Sequence, residues 1–384
     1  MDCEDYHGVE YFEQQQLIAL LVDAGANPNA TLDTCGLVIP AVNYIDLVGA
    51  LNTLLEKGAD PNTTDEKGNS ALHYLGFPVH FHKAPFKTGL HEVGIRLLLK
   101  HKASVSHENK SGETPIHRAA SGSNLRILEL YLSAYPSEER NAFIRSKNRY
   151  GETLLHFAAA GCNIDNIEYL LSDGGMQGAI NDASSNGWTP FMCAFAQTAD
   201  RFGCHTRHTK GRSQIPPVAR LLLSHGADPL VTTTEGWTPL HGLALFFGES
   251  ISDETTQLIE TLISAGADIN ARALFPVEDL SNSSRRSGYD CQIVGWGHQV
   301  EELIKDPSSH RMIIRSGVTP LHVAAAHGAV GVVEALLRHG ANPATYDSSG
   351  ASPASTAGDS TLLKNHVGIQ DKIITLLMSA GGSY

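Results

Sequence analysis

The sequence predicts an all-α fold built by stacking helix pairs, with short β-hairpin loops between them, and three observations carry the prediction. The stretch Gly317 to Ser349 reads as one complete helix-turn-helix unit with its start and stop signals in place. The pattern restarts at Gly350, 33 residues further on, and a period in that range marks stacked repeats. A unit of that length cannot bury its own apolar faces, so it must lie against copies of itself.

Within this unit, Thr319 is placed to cap a helix that starts at Pro320, a ring already at helical φ that lacks only an N–H the helix does not use. Ala324, Ala325 and Ala326 make a slim helix that neighbours can approach closely, and Gly328 ends it. Val332, Val333, Leu336 and Leu337 recur at helical spacing and give the second helix one apolar face. Arg338 and His339 stand in its last turn, and Gly340 follows where a left-handed cap is expected. The polar, turn-rich run from Ala341 to Gly350 suits a hairpin loop.

In chain order, residues 14–30 read as a second helix and its Gly-Ala-Asn-Pro-Asn exit with no first helix before it, so residues 1–35 form an N-terminal cap or partial repeat. Further units open at Gly36, Gly68, Gly112, Gly151, Gly187, Gly236 and Gly317, and 350–384 forms a C-terminal cap repeat. Steps longer than 33 residues locate insertions at 76–91, 197–217 and 274–315. The Gly112 unit carries its extra residues after the second helix, in Ala134 to Asn148. Lys102 stands where Gly25, Gly58, Gly226, Gly266 and Gly340 stand in other units, so a left-handed lysine is expected there.

The GVTPLH opening, the ALLRHGANP exit and the 33-residue step together resemble the ankyrin repeat, from about residue 14 to residue 384 with the insertions interrupting. The match departs at Gly36, where VIPA stands in place of TPLH, and at Gly350, where SPAS does. The resemblance implies an ankyrin-repeat α-solenoid forming a single domain over 1–384, with a concave surface of hairpin tips and first helices that binds other proteins. It also implies a structural role near the helix cap for His73, His117, His156, His241 and His322, the last residue of each TPLH-like tetrapeptide.

Composition bounds the function. The net charge of −13 argues against binding a phosphate backbone and favours a partner with a basic surface. No run of 18 apolar residues and no basic, apolar leader is present, so no membrane insertion is expected and the chain is expected to be intracellular, cytoplasmic or nuclear, and monomeric. Six cysteines without a C-x-x-C pair suit free thiols in a reducing compartment.

Catalytic and cofactor motifs are lacking. Gly295 to Val300 starts like a dinucleotide-binding turn but ends on Val300 where the third glycine belongs, and neither a phosphate-binding loop nor a nucleophile elbow occurs. His80, His82 and His91 in one insertion, and Cys204, His205 and His208 in the next, are conceivable metal ligands without a full set. Arg201, Arg207, Lys210 and Arg212 make the second of these loops basic. No enzyme, no cofactor and no metal site is expected.

The candidate partner-binding residues are therefore the hairpin tips: Asp65, Glu66 and Lys67; Asn109 and Lys110; Arg149 and Tyr150; Ser185 and Asn186; Thr234 and Glu235; Asp347 and Ser348. Trp188 and Trp237 follow opening glycines and serve as inter-repeat packing or as partner anchors. Phe275, Tyr289 and Trp296 are exposed-aromatic candidates in the longest insertion, whose replacement by a short turn is expected to leave the helices folded. Ser287, after Arg285 and Arg286, offers a phosphorylation switch. The leading function is an intracellular adaptor binding a protein on its concave face. The alternatives are the recognition or regulatory portion of a larger signalling protein or enzyme, and a metal-binding modulator.

Overall fold

Each repeat begins with a glycine that lets the chain turn back on itself, and the residues after it decide how the helix starts. The computed structural model describes residues 15–32, 35–43, 48–76, 88–122, 124–172, 175–195, 214–245, 251–278, 312–360 and 363–384. The opening glycines from Gly68 to Gly350 take φ of 72 to 83°, a region closed to most side chains. Gly36 departs from them: it lies in a two-residue strand that pairs Cys35–Gly36 (β2) with Thr31–Leu32 (β1).

The described residues are almost entirely helical outside the loops, as the period predicts, and they form two compact units. The first comprises 1–149, 153–158 and 165–176, and the second comprises 150–152, 159–164 and 177–384. In the first, residues 15–23 form α1, followed by α2 (Val38–Asn43), α3 (Val48–Glu56), α4 (Ala71–Gly76), α5 (Thr88–Lys100), α6 (Pro115–Gly122), α7 (Leu125–Ser133) and α8 (Ser137–Ile144). Then α9 (Leu154–Ala160) and α10 (Ile164–Leu171) are each shared across the unit boundary. First helices pack on first helices, α2 on α4 and α4 on α6, while second helices pack on second, α3 on α5. The core is a continuous layer containing Leu51, Leu72, Ile95, Leu98, Ile116 and Leu128, each almost fully buried. Tyr131 is also enclosed and spends its hydroxyl on the Leu72 carbonyl, 2.6 Å away. The extra residues of the Gly112 unit turn out to be α8.

The second unit repeats the scheme with α11 (Pro190–Cys193), α12 (Ile215–Ser224), α13 (Pro239–Leu243), α14 (Asp253–Ser264), α15 (Pro320–Ala326), α16 (Val330–Arg338), α17 (Pro353–Asp359) and α18 (Val367–Ser379). Its first helices stack as α11, α13, α15, α17 and its second helices as α12, α14, α16, α18. The alanines of α15 are wholly buried, which fits the slim helix read from the sequence.

The longest insertion differs from expectation at both ends. Ala273–Glu278 (β3) and Met312–Val318 (β4) pair antiparallel, with Glu278 opposite Met312, so the ends of the insertion form a hairpin stem. Phe275 is not an exposed aromatic: it is fully buried, stacked on Trp237 at 5.2 Å between ring centroids and edge-on to His327 at 6.3 Å. Arg315 is likewise buried and bonds Asp347 at 3.2 Å. Both residues fall inside 274–315, so replacing that whole span would remove part of the core. The span between the paired strand ends is 279–311.

The predicted left-handed lysine is present. Lys102 has φ of 66° at the helix end where Gly58, Gly226 and Gly340 have φ of 88 to 91°. A second side chain in that region, Cys162 at φ 50°, ends α9. Burial pushes its thiol up to about 12, which leaves it inert.

One helix lacks a layer. Counted back from the exit glycines Gly25 and Gly340, Leu17, Leu20 and Leu21 of α1 match Val332, Ala335 and Leu336 of α16. The leucines are 58, 67 and 53% exposed, whereas their counterparts are at most 2% exposed. Among the described residues no first helix precedes α1.

Candidate functional site

The hairpin tips are built by one device repeated along the chain. Three residues before six of the opening glycines stands a short acceptor side chain: Asp65, Asn109, Asn148, Ser184, Thr233 and Asp347; before Gly317 the place is taken by Ile314 in β4. The Asp65 carboxylate accepts from the Lys67 and Asn69 backbone N–H groups at 2.9 and 2.7 Å, and the Asn109 side-chain oxygen accepts from Ser111 and Glu113 at 2.9 and 3.0 Å. Asp347 does the same for Ser349 and Ala351, and Thr233 accepts from Trp237. These are Asx and ST turns that replace backbone partners the hairpin would otherwise leave unmet. Burial works to raise the Asp65 pKa, but hydrogen bonds from Tyr74 and Asn69 outweigh it and hold the carboxyl below its usual value.

Several tip candidates are therefore internal. Asn109 and Asp347 are buried turn acceptors, and Asp65 is half-buried in the same role. Asn186 and Glu235 are also buried, Glu235 receiving the Thr234 hydroxyl at 2.6 Å. Trp188 and Trp237 are 4 and 3% exposed, so they pack between repeats and are not surface anchors; Trp237 donates its ring N–H to the Leu274 carbonyl at 2.9 Å. What remains at the surface is Glu66, Lys67, Lys110, Arg149, Ser185, Thr234 and Ser348, with Tyr150 half-exposed. Tyr289 and Trp296 lie outside the described residues, as do Ser287, the histidines His80 and His82, and the Cys204, His205 and His208 loop with its Arg201, Arg207, Lys210 and Arg212.

Neighbouring tips are joined through their backbones. In the first unit Lys110 N–H donates to the Lys67 carbonyl at 2.9 Å and Arg149 N–H to the Ser111 carbonyl at 3.0 Å. In the second, Ser185 donates to Tyr150, Thr234 to Asn186, Leu274 to Glu235 and Ser348 to Ser316, at 2.7 to 3.0 Å. The hairpin stem is thus stitched into the tip row on both sides. Each unit presents its outward tip side chains from a hydrogen-bonded row.

The first helices are anchored by the histidines. Thr319 and Thr238 form capping boxes in which the histidine three residues on supplies the return acceptor: His322 Nδ1 takes the Thr319 N–H at 3.2 Å, and His241 Nδ1 takes the Thr238 N–H at 3.2 Å. Ser70, Thr114 and Thr153 are bound the same way by His73, His117 and His156. With Nδ1 an acceptor, Nε2 carries the proton. It is donated to the next repeat: His73 to the Glu113 carbonyl at 2.9 Å, His241 to Val318 and His322 to Ala351, both at 3.1 Å. Burial is the main cause that pulls His73, His241 and His322 down to about 4. A ladder on the opposite loops went unread in the sequence. Asn29, Asn62 and Asn181 each accept a backbone N–H and donate to a cap carbonyl in the next repeat, and Asn270 accepts from Asn342. For Asn29, Asn62 and Asn270 the signal was an asparagine four residues past the exit glycine; Asn181 lies outside that spacing. The buried His91 lies on α5, and among the described residues no three His, Cys, Asp or Glu side chains converge as metal ligands would. No helix among them is long and apolar enough to cross a membrane.

This geometry defines a stacked helix-pair repeat protein. Comparison with known families agrees with it at three places: profiles described as ankyrin repeats in many copies match residues 83–130 and 305–357, and one for the single ankyrin repeat matches 235–274. An ankyrin repeat protein of fowlpox virus (strain NVSL) is 33% identical over 89 residues, which is 21% of this chain and 17% of that protein's length. The chain carries ankyrin repeats at these places.

Proposed function

We propose that this chain is a non-catalytic adaptor that holds a protein partner against its rows of hairpin tips and the adjoining first helices, the surface that becomes concave in an ankyrin solenoid. The observation that carries the reading is the division of labour at the tips. Where the residue three before the opening glycine is a short acceptor it serves the turn, while the next position leaves Lys110, Arg149, Ser185, Thr234 and Ser348 exposed on a backbone-bonded row. Side chains presented from a row already fixed lose little backbone freedom on binding, which favours specific contact. Ankyrin repeats serve in general as protein-interaction modules, and the reading places this one in the cytoplasm or nucleus as a monomer.

The test uses the partner recovered by affinity capture from native cells, titrated by calorimetry against two variants of the full chain. One carries Lys67→Glu, Lys110→Glu and Arg149→Glu; the other carries Ser185→Arg, Thr234→Arg and Ser348→Arg. All six sites are exposed, so both variants should keep their circular dichroism. At least one should bind tenfold or more weakly, about 1.4 kcal/mol. Unchanged affinity in both would remove the tips from the binding site.

A further inference from the structure

The charge of the whole chain points to a basic partner, yet the tips of the first unit expose three cations. Lys67, Lys110 and Arg149 are exposed on three successive hairpins, and none of them has a carboxylate at ion-pair distance among the described residues. The contrast is Arg315, which stands two residues before Gly317 as Arg149 stands before Gly151, but is buried and neutralised by Asp347 at 3.2 Å. At the other tips of the second unit the matching residues are Ser185, Thr234 and Ser348, all uncharged.

The row is also set in place. Lys110 N–H bonds the Lys67 carbonyl at 2.9 Å and Arg149 N–H bonds the Ser111 carbonyl at 3.0 Å, so the three backbones are held one repeat apart. The Arg149 stem lies over Gly112, where an added Cβ would meet its Cγ at 2.8 Å. That contact limits where the guanidinium can swing. Two exposed carboxylates share these hairpins, Glu66 beside Lys67 and Glu108 two residues before Lys110. Positive charge therefore dominates towards the Lys110 and Arg149 end.

From this we propose that the first-unit tips bind an extended acidic peptide segment of a protein partner, with carboxylates at every third position. The proposal rests on the partner-binding reading above and adds the partner's chemistry. Packed helices set successive repeats about 10 Å apart, and a peptide extended as a polyproline II helix rises about 3.1 Å per residue with three residues per turn, so side chains three apart share one face and match successive tips. A nucleic acid would offer the same sign of charge, but its affinity comes from many phosphate contacts, and three cations in a row supply few.

Fluorescence anisotropy of the full chain at low ionic strength tests this with three labelled probes: a ten-residue peptide with glutamates at positions 1, 4, 7 and 10 separated by serine and threonine, one of the same composition with the glutamates adjacent, and a ten-nucleotide single-stranded DNA. The spaced peptide should bind most tightly. Lys110→Gln with Arg149→Gln should weaken it about tenfold, because each exposed ion pair contributes a factor of a few. Glu66→Gln should tighten it. Equal binding of the two peptides, no response to the double substitution, or tighter binding of the DNA would each overturn the proposal. If the captured partner still binds the double variant at wild-type affinity, the adaptor reading survives and the acidic segment falls.

Discussion

At Lys102 the repeat register can be tested through a single side chain. Its φ of 66° places Cβ against the following carbonyl, a strain of about 1–2 kcal/mol, and glycine at the same position gives back part of the gain through its freer unfolded chain. Lys102→Gly should therefore stabilise the first unit by about 0.5–1 kcal/mol in denaturant melts, whereas glycine at an ordinary helix position would cost about as much. Destabilisation would contradict the left-handed cap. This residue was legible because glycine recurs at its position elsewhere. Phe275 was not: its neighbours Leu274, Pro276 and the serine-rich run beyond look like a solvated loop, and only the pairing of Phe275 with Arg315 across the stem reveals that Trp237 is waiting to be covered. Asp65, Asn109 and Asp347 were misassigned for another reason. Polar residues suit both a turn and a binding surface, and the recurrence of short acceptors three before six of the opening glycines would have separated the two.

At the scale of the element, the sequence showed where first helices begin but not what the histidines cost. Each ring accepts the cap N–H on Nδ1, so protonation there would set a donor against a donor. The neutral form is favoured in the folded state: burial draws His241 and His322 down to about 4, from the 6.5 usual for histidine. Their folded values are depressed, so the stabilisation is complete above about pH 6.5 and is lost as the pH falls towards 4. Between these limits unfolding of the second unit takes up about two protons, a slope of about 3 kcal/mol per pH unit. Melts from pH 7 to pH 5 should show that loss. Glutamine at the same helix position can still complete a capping box but does not titrate, so His322→Gln should lower stability at pH 7 and flatten the slope by about one proton. A slope unchanged by the substitution would show that His322 is not the group responsible.

At the scale of the molecule, the long insertion decides how the second unit is closed. The period located it but could not show that its ends belong to the core. Because Glu278 and Met312 are direct antiparallel partners, a two-residue Asn-Gly turn can join them in place of 279–311. That chain should keep its helical circular dichroism and its denaturant midpoint, since Phe275, Trp237 and the Arg315–Asp347 pair all remain. Deleting the whole of 274–315 instead removes a fully buried phenylalanine, which alone costs about 3–5 kcal/mol, and leaves Asp347 buried without its arginine. The loss should be confined to the repeats beside the gap, because each repeat is held by its neighbours. Hydrogen exchange would show it as lost protection in α13 and α15, with α12 and α18 changed far less. Equal stability of the two shortened chains would mean that the stem, and not merely the segment beyond it, is dispensable.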